Sequence, residues 1–418
     1  MGLALDALYT LVAAATAPWW MRKARSDWGQ RFGKIDSLPA PTARPRLLLH
    51  AVSVGEVNLT RPLIDRLAPT TDIILSVTTD TGIARARTLH ADRIPVVRYP
   101  LDASWAVRRF LDAVNPDAVA LAELELWPHF IEQCTRRNIP VGVVNGRLSA
   151  RSFKGYRKLR LFIARHFRAL AFAAVQDADY AERFQAMGVP QERIHICGTM
   201  KWDAALSAPP PPEKSHQLRT LLRIDPAKPL IVAGSTAPEE HALLHNATPP
   251  GIQLLCAPRR PEWFDQAARD LPGCIRRSAP DTGDPASERF LLDSIGELDA
   301  AYALADLIVI GRSFTNLHGS DPMQPAALAK PIIIGPEHSD FADAVRLLSQ
   351  SDAIEIATAA DLPSTIARLM TDPQRREQLA RNARACVDAN TGATERHASL
   401  LNALLNSAPR FTTRTTTQ

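Results

Sequence analysis

Glu56 has the sequence setting of a proton acceptor. It follows an apolar run and a small-residue turn, LLLHAV then SVG, and heads a segment with apolar residues at Val57, Leu59, Leu63, Ile64 and Leu67. That pattern predicts a buried parallel strand, a tight loop and a helix. The carboxylate then falls in the first helical turn, where the helix dipole and free backbone N–H groups favour its charged form. It is expected to be ionised and able to take a proton, although the same position also suits a plain capping glutamate after Ser53. Glu123 ends another apolar run in LAELELWPH and brings a second carboxylate to the same kind of strand end. Two carboxylates at one sheet edge suit group transfer with acid–base assistance. Lys201, in GTMKWD, can add a positive charge or be an ordinary solvated loop lysine.

The second half offers an anion site instead. Ser235 and Thr236 follow one apolar run, and Pro258-Arg259-Arg260-Pro261-Glu262 follows the next. Arginine at a strand end beside a helix start suits phosphate, because the guanidinium fork and free N–H groups converge. Gly311–Pro336 then contains a loop rich in Gly, Ser and Asp. Its helix is expected near Pro322, with Asp321 as N-cap, which reads as a nucleotide-binding edge or as an ordinary capped loop.

The elements that must hold these groups alternate between strand and helix. Apolar runs fall at residues 47–52, 72–79, 94–100, 116–125, 139–146, 170–177 and 193–199, then at 229–236, 252–258, 289–294, 304–311 and 331–336, with helical patterns between. This is the signature of βαβ units and parallel sheets. A chain of 418 residues exceeds one ordinary core, so two domains are expected. The linker between them is expected at Ser207–Lys214, where the four prolines Pro209 to Pro212 exclude regular structure. The expected division is an anchor and basic link over 1–33, an N-terminal Rossmann-like domain over 34–206, a C-terminal one over 207–406, and a flexible polar tail over 407–418. The last helix is expected to run from Pro373 to about Asn406. Neither GxGxxG after a first strand nor a Walker P-loop is present, which disfavours a dinucleotide dehydrogenase and a P-loop NTPase.

Residues 3–20 are mostly apolar and end in Trp19-Trp20, with Arg22, Lys23 and Arg25 just beyond. That arrangement is expected of a membrane anchor with its positive flank in the cytoplasm, either spanning or lying on the bilayer. Five scattered cysteines with no CxxC argue against a zinc site or a disulfide framework. The formal charge of +5 suits an anionic ligand or an anionic membrane.

In order along the chain, HAVSVGE, SVTTDTG, LAELELWPH, NGRLSARSFKGY, GTMKWD, GST, APRRPE, DSIGEL and GSDPMQPAA resemble the bacterial 3-deoxy-D-manno-octulosonic acid (Kdo) transferases of lipid A assembly. The resemblance implies the GT-B glycosyltransferase fold, two Rossmann-like domains facing a cleft, with an N-terminal membrane-anchoring helix. It also implies CMP-Kdo as donor, a lipid A precursor such as lipid IVA as acceptor, and the cytoplasmic face of the inner membrane as location. No cofactor, metal or nucleic acid is implied. By motif, Glu56 matches the proton acceptor, and Glu123 and Lys201 match groups that stabilise the transition state. CMP is then expected on Pro258 and Arg259, on Ile295, Gly296 and Glu297, and on Asp321, Pro322, Met323 and Gln324. The chain departs from the family at HGSDPMQ, where GGHNPLE is usual, so Ser320, Asp321 and Gln324 replace histidine, asparagine and glutamate. A transferase for another nucleotide sugar and a non-catalytic relative stay open; product formation with a panel of CMP- and UDP-sugars separates them.

Overall fold

The computed structural model describes residues 27–408 except Ser37, Ala91 and Ala208. The expected anchor over residues 3–20 and most of the polar tail lie outside the described residues. Among those described, no helix is long and apolar enough to cross a membrane.

The chain forms two compact units, one containing residues up to Ala204 and those from Gly392 onward, the other spanning Ala205–Thr391. In the first, seven parallel strands are ordered β3-β2-β1-β4-β5-β6-β7. They are β1 (Arg46–Ala51), β2 (Asp72–Val77), β3 (Val96–Arg98), β4 (Ala118–Ala122), β5 (Val141–Gly146), β6 (Phe172–Val175) and β7 (Ile194–Ile196). Every residue of β1 is buried, as expected of a central strand covered by helices on both faces. Its side chains alternate between two cores. Leu47, Leu49 and Ala51 join Val57, Leu63 and Ile64, whereas Leu48 joins Val107, Phe110 and Phe130 on the other face.

The second unit repeats the architecture in the order β10-β11-β9-β8-β12-β13-β14. These strands are β8 (Leu230–Thr236), β9 (Gln253–Pro258), β10 (Ile275–Arg276), β11 (Arg289–Leu291), β12 (Leu307–Ile310), β13 (Ile332–Ile334) and β14 (Glu355–Ile356). All twelve apolar runs named from the sequence contain strands. The additional pair, β10 and β14, are two-residue edge strands, too short to leave a periodic pattern.

The chain is divided differently from expectation near its C-terminus. The helical pattern after Pro373 is broken at Gly392, whose φ of +87° is the left-handed conformation that glycine adopts without cost. Pro373–Asn390 stays with the second unit, and the helix Ala393–Ser407 belongs to the first. The reason is burial: Ala393, Ala398, Leu401 and Leu405 join the core of Leu47, Val57 and Leu63. Polar clips hold it there. The Asp203 carboxylate accepts the N–H groups of Gly392 (2.7 Å) and Thr394 (3.0 Å), and Asn145 N–H donates to His397 Nε2 (2.8 Å). The proline linker is also shorter than expected, because Pro212 takes the first position of the helix Pro212–Leu222.

His50, in the middle of β1, is fully buried against Tyr99, with ring centroids 3.8 Å apart. Burial drives its pKa down to about 3 in spite of its hydrogen bond to Ser76. Below pH 6.5 the unfolded chain therefore binds a proton there that the folded chain refuses. Stability should fall by about 1.4 kcal/mol per pH unit from this group alone as the pH drops from 6.5 toward 3. Denaturant unfolding at several pH values, on the protein and on His50→Gln, should show the variant's slope reduced by one proton; equal slopes would refute this.

Candidate active site

Both sheets reverse their strand order at one point, between β1 and β4 in the first and between β8 and β12 in the second. Ligands of open α/β sheets sit at the carboxyl ends of strands flanking such a reversal. Glu56 follows β1 and Glu123 follows β4, so the two carboxylates flank the first reversal. The expected helix is observed as Val54–Leu67, with Glu56 in its first turn. Its carboxylate turns back, accepting Val52 N–H at 2.7 Å and the Ser53 hydroxyl at 3.2 Å.

This geometry resembles a cap, but the electrostatics differ from the sequence expectation of a plainly ionised group. Burial raises the Glu56 pKa to about 7, outweighing the bond from Val52, and the nearby charges of Glu123 and Glu125 add to the rise. A carboxyl half-ionised at neutral pH can both take and return a proton. Glu125, whose Oε2 accepts the indole N–H of Trp127 at 2.8 Å, is itself raised, chiefly by burial. It was missed in the sequence, where its alternation with Glu123 in ELE was the available signal.

Glu123 adopts φ +57°, a left-handed conformation uncommon outside glycine. Asn145 at the end of β5 (φ +52°), Ser235 at the end of β8 (+57°) and Arg312 just beyond β12 (+60°) do the same. Asn145 and Ser235 also sit where the strand register shifts, a device that re-aims strand ends. Such conformations cost about 1–3 kcal/mol each and gather at functional sites. Lys201 opens the helix Lys201–Leu206 after β7. It is tied to the central edge through its neighbour, since Met200 N–H donates to Asn145 Oδ1 at 3.0 Å.

In the second unit, Pro258 and Arg259 close β9, Ile295–Glu297 follow β11, and Asp321–Gln324 follow β12. All therefore stand at the carboxyl edge. Tyr302, fully buried over Gly234 of β8, has its hydroxyl held up chiefly by burial, with Asp321 raising it and Arg259 lowering it. Arg259 and Asp321 thus converge beside one phenol. A Cβ on Gly234 would come within 1.9 Å of the Tyr302 hydroxyl, so glycine is required at that position.

The site residues of this unit do different jobs. Ile295 is 69% exposed and Gly296 has φ +93° with open space around it, whereas the Glu297 carboxylate is engaged by Arg277 (3.0 Å) and the Ser294 hydroxyl. Pro322 and Met323 are buried, and Asp321 Oδ1 accepts Met323 N–H at 2.8 Å. The helix begins at Met323 and is only five residues long.

Two further residues shape this edge. The buried Glu240 carboxylate accepts the N–H groups of Ala237 (2.8 Å), Arg312 (2.7 Å) and Phe314 (3.1 Å), fixing the loop after β12 to the helix Pro238–Ala247. Arg312 is partly buried, and its guanidinium is held below its usual pKa first by that burial and then by the charges of Arg259 and Arg260. Three arginines therefore share the edge, an arrangement suited to phosphate. Arg312 was missed, although it follows a strand as Arg259 does.

Residues 26–204 match the family described as 3-deoxy-D-manno-octulosonic-acid transferase (kdotransferase). The chain is 30% identical over 392 residues to 3-deoxy-D-manno-octulosonic acid transferase of Haemophilus influenzae, covering 90% of this chain and 91% of the other. It is 32% identical over 432 residues to the Bordetella pertussis protein of the same description, covering 93% and 97%. Among solved structures, UDP-GlcNAc 2-epimerase from Neisseria meningitidis aligns with a TM-score of 0.60 at 12% identity, over 86% of this chain and all of that one. That likeness concerns fold alone, two parallel-sheet α/β units of the kind found in GT-B glycosyltransferases. The extended similarity to the two curated transferases carries the assignment: the chain belongs to the 3-deoxy-D-manno-octulosonic acid transferase family and is a glycosyltransferase.

Proposed function

We propose that this glycosyltransferase moves Kdo from CMP-Kdo to a lipid A precursor, lipid IVA, in lipopolysaccharide synthesis, at the cytoplasmic face of the inner membrane. The observation that carries the mechanism is Glu56, a half-buried carboxyl at the β1/β4 reversal with a pKa of about 7. An acceptor hydroxyl oxygen attacks the anomeric carbon of Kdo from the face opposite the nucleotide. Its proton passes to Glu56, the bond from the anomeric carbon to the CMP phosphate oxygen breaks, and CMP leaves with the electron pair. Configuration is inverted. Glu123 and Lys201 are assigned to stabilising charge in the transition state.

The nucleotide is assigned to the carboxyl edge of the second sheet. Arg259, joined there by Arg312, takes the phosphate. Pro258, Ile295, Gly296, Glu297, Asp321, Pro322, Met323 and Gln324 frame the rest, with exposed backbone at Gly296 and the side chain of Gln324 available for sugar hydroxyls. The chemistry asks for cations at the leaving phosphate, and arginine side chains supply them.

Glu56→Gln should retain CMP binding and lower turnover by roughly two to four orders of magnitude. Product mass from lipid IVA and CMP-Kdo measures this, and near-normal turnover would exclude Glu56 as the base.

The pH profile tests the same group independently. Because the ionised form accepts the proton, kcat/KM should rise with pH through about 7. Glu125→Gln removes a like charge beside Glu56, so it should move that rise to lower pH while burial keeps it above the usual carboxylate range. An unmoved or upward-shifted profile would contradict the assignment.

Calorimetric titration of CMP tests the nucleotide edge. Arg312→Ala should weaken CMP by about 1.5–3 kcal/mol, the worth of a charge-assisted hydrogen bond. Gln324→Ala should cost about 0.5–1.5 kcal/mol, and Gln324→Glu should stay within about 1.5 kcal/mol of the parent, since an acceptor is preserved. Unchanged affinity in both alanine variants would place the nucleotide elsewhere.

A further inference from the structure

The tryptophan of LAELELWPH, Trp127, has no part in the proton transfer. Standing before Pro128, it is confined to extended backbone, and it has φ −86° and ψ 122°. Pro128 opens the helix Pro128–Arg136, and the Asp102 carboxylate accepts the N–H groups of His129 (3.1 Å) and Phe130 (2.9 Å) in its first turn. Trp127 itself is fixed at two points. Its backbone N–H donates to Glu125 O at 3.1 Å, and its indole N–H donates to Glu125 Oε2 at 2.8 Å. Trp127 is nevertheless 41% exposed, although His129 and Phe130 beside it are buried. A solitary exposed apolar side chain is ordinary. Here, however, the polar edge of the indole is already satisfied, so what stays open is a flat carbon surface held in one orientation. Such a surface has little conformational entropy left to lose on binding.

The surroundings of Trp127 define what it can hold. His50 of β1 is level with Leu121 of β4. Val52, whose N–H holds the Glu56 carboxylate at 2.7 Å, is therefore level with Glu123, and Trp127 follows four residues later at the same edge. Glu125 is near enough for its charge to act on Glu56. Its Oε2 is taken by the indole, whereas Oε1 has no hydrogen-bond partner among the described residues. A pyranose matches this pair of contacts. One face of the sugar carries C–H bonds that meet the electron-rich indole face, and hydroxyls on its rim can donate to a carboxylate oxygen. A bare hydrocarbon would strip Oε1 of water and offer it no hydrogen bond in return.

We propose that Trp127 and Glu125 form an acceptor-sugar subsite. One face of the acceptor's pyranose stacks on the indole of Trp127, a rim hydroxyl donates to Glu125 Oε1, and the hydroxyl to be glycosylated is thereby turned toward Glu56. This rests on the assignment of the first unit's edge to a sugar-headed lipid acceptor, and it adds what grips the sugar there.

The test uses the full chain with two readouts. In the first, saturation-transfer NMR, the aromatic protons are irradiated in the presence of the water-soluble disaccharide headgroup left when lipid IVA is stripped of its acyl chains. Saturation should reach the sugar-ring C–H protons in the parent and in Trp127→Phe, and be lost in Trp127→Ala. The second readout is transfer from CMP-Kdo to lipid IVA. Trp127→Ala should raise the acceptor KM roughly five- to tenfold, the scale of a lost aromatic contact. Calorimetric CMP affinity and the rise of kcat/KM through about pH 7 should stay in place. Trp127→Phe, which keeps a flat face but loses the N–H, should restore most of the acceptor KM. Trp127→Leu fills space without a flat face and replaces alanine if that variant does not fold. A parental acceptor KM in Trp127→Ala would overturn the inference. So would Trp127→Phe as impaired as alanine, which would reduce Trp127 to an anchor for Glu125. If the parent makes product but its headgroup receives no saturation, the subsite alone falls; if the parent shows neither, the acceptor assignment falls with it.

Discussion

Parallel strand pairing is the constraint on which the rest of this structure depends. When every strand in a sheet runs the same way, each return must pass through a helix, and each loop that can carry chemistry leaves from one edge. The reversal of order between β1 and β4, and again between β8 and β12, then opens that edge where neighbouring loops diverge. Glu56 and Glu123 are adjacent because β1 and β4 are, although they stand 67 positions apart in the sequence. Arg259 and Arg312 come together in the same manner, one strand on each side of β8. The positions of the functional groups follow from the topology, and the helices follow from the need to cover both faces of each sheet.

The strand ends also have to be aimed. Glu123, Asn145, Ser235 and Arg312 all take left-handed backbone conformations at carboxyl ends, and hydrogen bonds hold three of them there. Glu123 N–H donates to Val144 O, Asn145 bonds to Met200 and His397, and Arg312 N–H donates to the Glu240 carboxylate. The Glu123 bond continues the β4–β5 ladder, whereas Asn145 N–H and Arg312 N–H turn away from a neighbouring strand to the His397 ring and the Glu240 carboxylate. Because Asn145 binds both the C-terminal helix and the turn before Lys201, the return of that helix to the first unit stiffens the edge from behind.

Much of the fold was readable because continuous apolar runs such as LLLHAV and LIVIG mark strands buried on both faces, and turns with Gly, Ser or Pro mark their ends. Glu56, Glu123 and Arg259 were readable for the same reason: each is the first chemically active residue after such a run. What escaped had no local signature. The crossing of Ala393–Ser407 back to the first unit depends on a tertiary partner, the face of Leu59 and Leu63, and the preceding helical pattern continues through Gly392 with only that residue as a warning. Glu240 looks like any first-turn glutamate; its role lies in N–H groups some seventy positions away. The charge state of Glu56 was misjudged because the helix dipole can be inferred locally, whereas burial and the neighbouring carboxylates belong to the assembled sheet edge.

The electrostatic division of labour gives a physical reading of the departures at Asp321 and Gln324. The first sheet's edge gathers carboxylates, and burial first, then the charges of Glu123 and Glu125, keep Glu56 near neutrality. The second sheet's edge gathers arginines, and a carboxylate placed among them would cancel part of the attraction for phosphate. Glu240 avoids this by lying buried beneath the loop, its oxygens occupied by backbone N–H groups. Asp321 is restrained differently, with one oxygen held by Met323 N–H and Arg259 acting with it on Tyr302. Having taken an acid at Asp321, the loop gains by carrying the neutral Gln324 a turn later: the amide keeps a hydrogen-bond acceptor for a sugar hydroxyl and adds no further negative charge. On this reading the two departures compensate, leaving the net charge contributed by positions 321 and 324 equal to that of the family's asparagine and glutamate pair.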